Sequence, residues 1–150
     1  MHNLSALRQR STKMLVSTSA VFSFCFYAQD VNQSYLQSME QMTRDIYLLP
    51  RAEDKHFFKI SDDEVLLLLR PLYGICNAED YWAATMTAHI TQDLGLAPTR
   101  GHPALYVKDG AAGADGLLGT YVDDTILGSN DDFQVLTEAT LSLFDGKPLM

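Results

Sequence analysis

Near its C-terminal end the chain reads Leu117-Leu118-Gly119-Thr120-Tyr121-Val122, then Asp123-Asp124, then Thr125-Ile126-Leu127-Gly128. Two apolar runs of strand length meet at a pair of adjacent acids. That pattern predicts a tight antiparallel hairpin with strands at 117–122 and 125–128. Every other segment must be arranged around it.

Upstream, residues 5–20 space Leu7, Met14 and Leu15 as a helix would, with Ala20 and Val21 near its end. Residues 22–31 are dense in aromatic side chains and predict a strand buried on both faces. A short strand is expected at 45–49, stopped by Pro50, and a charged loop at 51–64. The apolar run 65–69 ends before Pro71. Residues 77–94 predict the longest helix, with Glu79 and Asp80 favouring the dipole of its first turn and Gly95 past its end. A strand at 104–108 and a Gly- and Ala-rich turn at 109–116 lead into the hairpin. Asp131 or Asp132 is expected to cap a last helix running through Phe144. Helices and antiparallel strands alternate without βαβ regularity, so the fold class is α+β, in a single domain over residues 1–150.

Composition narrows the function. Of the 150 residues 47% are hydrophobic and 20% charged, enough for a core. The 11 basic and 19 acidic residues leave a net charge of −8, which argues against autonomous nucleic-acid binding, since phosphates must be neutralised by Lys and Arg. Arg8, Arg10 and Lys13 carry the only charges ahead of Asp30. Cys25 and Cys76 stand in apolar surroundings and are expected to be buried, reduced thiols of an intracellular protein. The apolar stretch 14–28 follows three basic residues as a secretory leader would, which opens a reading as a secreted binding module. It is short for a membrane span, and Phe26 and Tyr27 spoil a small-residue cleavage site, so no membrane partner is expected.

The chemistry is in the carboxylates. Asp30 ends an apolar strand, and Asp123 and Asp124 occupy the hairpin tip. Charges held close to a hydrophobic core are costly, and like charges together more so, unless a cation pairs with them. Magnesium takes hard oxygen ligands and keeps positions open for water and phosphates. Strand alternation puts Asp123 and Asp124 on opposite faces, so Asp123 and Asp30 are expected to share the metals with Asp124 in support. Acids at an exposed hairpin tip are also ordinary turn chemistry, and Asp30 alone can simply end a strand.

Tyr121-Val122-Asp123-Asp124 resembles the YxDD box of reverse transcriptases, in the YVDD form usual in copia-type LTR retrotransposons (pseudoviruses). Asp30-Val31 followed by Tyr35 resembles the family's first carboxylate motif. Arg70-Pro71-Leu72-Tyr73-Gly74, followed by Ala78 and Tyr81-Trp82, resembles its (K/R)xLYGLxxAxxxW block, and Ala104-Leu105-Tyr106-Val107-Lys108 its strand before YVDD. The blocks occur in the family's order and span residues 13–144.

The resemblance implies a palm domain: an antiparallel sheet with helices packed on one face, fingers and thumb incomplete. It implies RNA-directed DNA polymerase chemistry, nucleotidyl transfer from a dNTP to a primer 3′-hydroxyl with two Mg2+ ions, for which Mn2+ can substitute. Asp30, Asp123 and Asp124 would be the catalytic carboxylates, and they and the Val31 carbonyl the metal ligands. Tyr35, Leu72, Tyr73, Gly74 and Tyr121 would contact the nucleotide, Tyr35 screening the sugar 2′ position. Implied partners are an RNA or DNA template-primer and the remainder of a Pol polyprotein (fingers, thumb, ribonuclease H, integrase), in a cytoplasmic virus-like particle. Ile75-Cys76-Asn77-Ala78-Glu79-Asp80 stands where many relatives are more basic, and the fingers strand that grips the triphosphate is not recognisable. This fragment of a transposable element is therefore expected not to polymerise alone, and an inactive retroelement relic is the alternative. Tyr81 and Trp82 are expected in the core, and His56, His89 and His102 lack metal-like spacing.

Overall fold

The computed structural model describes residues 9–108 and 115–148. Helix α1 (Gln9–Phe22) buries Ser11, Leu15 and Ser19, one stripe at four-residue spacing. Nothing in Val21-Phe22 halts a helix, so α1 runs past the expected end at residue 20. Ser23, at φ 57°, turns the chain into β1 (Cys25–Val31).

After β1 come the short strand β2 (Tyr47–Leu48), the one-turn helix α2 (Lys55–Phe58) and the strand β3 (Leu66–Leu67). β2 and β3 pair antiparallel as a separate two-stranded sheet. The region expected to be only a loop thus holds a helical turn, within which Lys55 is buried and bonds the Ser61 carbonyl at 3.3 Å. Helix α3 (Ala78–Ala88) continues through one π-helical turn (His89–Asp93), and Gly95 at φ 67° ends it as expected.

The remaining strands complete the main sheet: β4 (Ala97–Thr99), β5 (His102–Lys108), β6 (Gly116–Tyr121), β7 (Asp124–Ser129) and β8 (Gly146–Pro148). Its order is β4-β5-β6-β7-β1-β8, antiparallel throughout. Helix α4 (Asp131–Leu141) lies between β7 and β8 in the chain. Its first-turn acceptor is Asn130, whose Oδ1 takes the Phe133 N–H at 3.1 Å, rather than Asp131 or Asp132. The expected turn at 109–116 lies largely outside the described residues.

Successive strand residues face opposite sides, and Leu117 and Leu118 divide accordingly. Leu118 joins a core with Trp82 and Met86 of α3 and Phe133 of α4, closed by Ile90, Leu94 and Phe144. Leu117 packs with Leu15 of α1 and Leu105. Helices therefore cover both faces of the sheet. The expectation of helices on one face is corrected, because Ser19 and Gly128 are small enough to let α1 lie directly on β7. Both edge strands are three residues long and contain a proline, Pro98 or Pro148, which cannot donate to a further strand.

Two other expectations fail. β1 is not buried on both faces, since only Ala28 and Val31 are enclosed. Cys25 and Cys76 are free but exposed, Cys25 at the start of β1 and Cys76 in the turn before α3. Among the described residues no helix is long and apolar enough to cross a membrane.

Candidate active site at the acidic hairpin tip

β6 and β7 close through a two-residue turn, Val122-Asp123, because Tyr121 pairs with Asp124. Val122 has φ 54° and Asp123 is not among the residues of positive φ, the sign pattern of a type II′ hairpin turn. The turn sits one residue earlier than the strand pattern implies. Asp124 is thus the first residue of β7, and Asp123 belongs to the turn.

That shift changes which acids meet. Across the β1–β7 ladder Asp124 stands opposite Asp30. Asp123 approaches the same end of β1 by another route, its carbonyl accepting the Val31 N–H at 2.9 Å. All three sequence-predicted carboxylates therefore gather where β1 ends and β7 begins, with Asp124 rather than Asp123 facing Asp30. Partial burial first, then the charges of Asp123 and Asp30, hold the Asp124 carboxyl above the usual carboxylate range.

A cation already serves this cluster. Lys147 of β8 is opposite Asp30 in the β1–β8 ladder, and its Nζ lies 3.4 Å from Asp30 Oδ2. Among the described residues no three His, Cys, Asp or Glu side chains are arranged to hold one metal ion. The donor chemistry nevertheless suits a hard divalent cation: three carboxylates at one strand end, one of them held toward its protonated form by partial burial and then by the other two. Engagement of Asp30 would require its side chain to leave Lys147.

Beside the acids is an aromatic pair. Tyr35, in the 3₁₀ turn Ser34–Gln37, is half-buried, and its ring centroid is 4.4 Å from that of Tyr73. The Tyr73 hydroxyl lies 3.4 Å from the Ser34 hydroxyl. Burial, then the charges of Glu79, Tyr73 and Asp123, raise the Tyr35 phenol above its ordinary value, so Tyr35 lies within electrostatic range of the tip. Leu72 and Gly74 flank Tyr73. Gly74 has φ 89° with open space where a Cβ would stand, so backbone conformation rather than room selects glycine there. Tyr121 is exposed at the end of β6, opposite Asp124.

Helix α3 ties these pieces together. Trp82 is buried, as expected of a core residue, yet its indole N–H donates to the Val122 carbonyl at 2.6 Å. Thr85 Oγ1 accepts the Met39 N–H at 2.9 Å, and the Tyr81 hydroxyl accepts the Thr43 N–H at 2.9 Å, fixing the loop that follows Tyr35. Arg70 adds a bond to the Ser38 carbonyl. The roles of Trp82 and Lys147 were not legible beforehand. A tryptophan at helical spacing reads as core, and nothing in Gly146-Lys147-Pro148 marks a strand.

A cavity of about 390 Å³ opens on the α4 side of β1 and β7, lined by Tyr27, Gln29, Thr125, Thr137, Glu138 and Phe144 among others. It contains none of the three tip acids.

No protein-family model, curated protein or solved structure matches this chain.

Proposed function

We propose that this chain carries the carboxylate centre of an RNA-directed DNA polymerase, a palm of the copia-type reverse transcriptase kind. The observation that supports this is the register of β1 against β7: it pairs Asp30 with Asp124 while the Val31–Asp123 bond brings the third acid alongside. Those residues, 94 positions apart at the extreme (Asp30 and Asp124), have no structural need to share a strand end. The like-charge cost they incur is repaid when a cation binds.

Asp30, Asp123 and Asp124 would hold divalent cations, Mg2+ or Mn2+, with the Val31 carbonyl as a further oxygen ligand. Cations bound there supply charge neutralisation at phosphate oxygens and activation of a 3′-hydroxyl. The chain's own contribution is positioning. The sheet fixes Asp30 and Asp124, the turn presents Asp123, and Tyr35 with Tyr73 would meet a nucleotide's sugar, with Leu72, Gly74 and Tyr121 as further nucleotide contacts. Template-primer and dNTP are the proposed substrates. Fingers, thumb, ribonuclease H and integrase of a Pol polyprotein in a cytoplasmic particle are the proposed context.

Primer extension tests the proposal. A polyprotein containing this chain should incorporate dNTP with Mg2+ or Mn2+ and lose incorporation on Asp123→Asn, by several kcal/mol of transition-state stabilisation, on the order of a thousandfold or more. Retained activity in that variant refutes it.

An inactive retroelement relic is the second reading. The Lys147–Asp30 ion pair, which takes a cation's place, and the net charge of −8 favour it. It predicts no incorporation and no specific Mn2+ binding.

A further inference from the structure

We infer that Trp82 is a positioning residue for the acidic tip: its indole N–H holds the Val122-Asp123 turn in the left-handed conformation that presents Asp123 and Asp124. The consequence for catalysis rests on the function proposed above, but the clamp itself does not.

Val122 is β-branched and sits at φ 54°, a region such residues rarely enter and one normally filled by glycine or asparagine. A strained conformation persists only where its surroundings over-determine it. Two long-range bonds do so. The Trp82 indole grips the Val122 carbonyl from α3, and the Val31 N–H grips the next carbonyl, that of Asp123, from β1. The indole is itself immobilised. It is 1% exposed, and the Phe144 ring meets it edge-on at 5.2 Å and 80°. A phenylalanine at this position would fill most of the volume but leave the Val122 carbonyl without this donor. A turn that can relax would let the two acids drift from Asp30.

Trp82 is the chain's only tryptophan, so one indole N–H signal in a 15N spectrum of the 150-residue protein reports on it. That hydrogen is expected to exchange roughly a hundredfold slower than an exposed indole. Loss of a single hydrogen bond near 1.4 kcal/mol corresponds to about tenfold. Trp82→Phe is therefore expected to speed amide exchange at Val31, which donates to the Asp123 carbonyl, and at Asp124 about tenfold beyond any change at Leu105 and Leu118, and to weaken Mn2+ binding about tenfold. Val122→Gly removes the conformational penalty and is expected to raise the folded-to-unfolded ratio about fivefold. In that background Trp82→Phe should change tip exchange and Mn2+ affinity by no more than about threefold.

Equal effects of Trp82→Phe with and without Val122→Gly overturn the inference, as does an indole hydrogen exchanging at the exposed rate. If Trp82→Phe does not fold, the exchange rate of the Trp82 indole hydrogen in the unsubstituted protein decides alone, and the exposed rate overturns the inference. Absence of Mn2+ binding in the unsubstituted protein overturns the proposed function while the exchange measurements still decide the role of Trp82.

Discussion

Gly128→Ala should destabilise this protein, and Ser19→Ala in the same chain should recover most of the loss. Gly128 lies within β7 with β6 and β1 bonded on either side, opposite Leu117 and Phe26. The strand cannot retreat without breaking two ladders. A Cβ added there would overlap Ser19 Oγ of α1 and lie 3.2 Å from Ser19 Cβ and 3.6 Å from Leu15 Cδ2. Relief must come from α1, and forcing a methyl into a packed interface costs about 1–3 kcal/mol. Ser19 Oγ is fully buried and has no hydrogen-bond partner among the described residues. Deleting it removes a desolvation penalty and should be neutral or stabilising by up to about 1 kcal/mol. In the double variant the Oγ overlap is gone and only the Cβ–Cβ approach remains, which a shift of a few tenths of an ångström accommodates. The cycle should therefore give a favourable coupling of about 1–2 kcal/mol. Urea unfolding of the four proteins, with unchanged m-values, measures it. A Gly128→Ala cost below about 0.5 kcal/mol, or strict additivity, refutes the placement of α1 on β7.

Three further outcomes are expected. Asp124 binds its proton more tightly in the folded chain than in the unfolded one, so its charge lowers stability above the folded value and the penalty fades as pH falls to the unfolded value. Asp124→Asn should raise the melting temperature at pH 7 and have no such effect near about pH 3, where both states are protonated; a stabilisation independent of pH would contradict this. Lys147→Ala, removing an ion pair whose lysine is exposed and whose carboxylate is half-buried, should cost about 1 kcal/mol or less in thermal unfolding. The same substitution should tighten Mn2+ binding at low ionic strength, since an ammonium no longer competes for Asp30; weaker binding would mean that Lys147 supports the site. Leu118→Ala, at a fully buried position between α3 and α4, should cost about 2–5 kcal/mol in urea unfolding, and a cost below 1 kcal/mol would place Leu118 outside the core.

The legible parts of this chain were those carried by local chemistry. Apolar runs around paired acids announced β6 and β7, the Glu79-Asp80 start and Gly95 stop bracketed α3, and Asp30 stood visibly at a strand end. The turn register was missed by one residue because Val122 adopts a conformation that its side chain does not favour; tertiary bonds impose it. The helix α1 was expected, but its seating on β7 was not, because two of its three buried residues are serines, which no hydrophobic pattern marks. β4 and β8 have three residues each, too few for a period to appear. The exposure of Cys25 and Phe26 follows from β8 covering only Gln29–Val31, which local sequence cannot anticipate. Lys147 became visible only through that same pairing.

The short reach of β8 has a physical consequence. Beyond Gln29 the outer side of β1, from Cys25 to Ala28, meets no strand among the described residues. An exposed thiol, Cys25, and an exposed phenylalanine ring, Phe26, stand on this stretch without a neighbouring strand, the kind of edge to which a second chain can add. Concentrated or oxidising preparations would join molecules along this seam first, side by side, leaving the carboxylate end of the same strand unaltered.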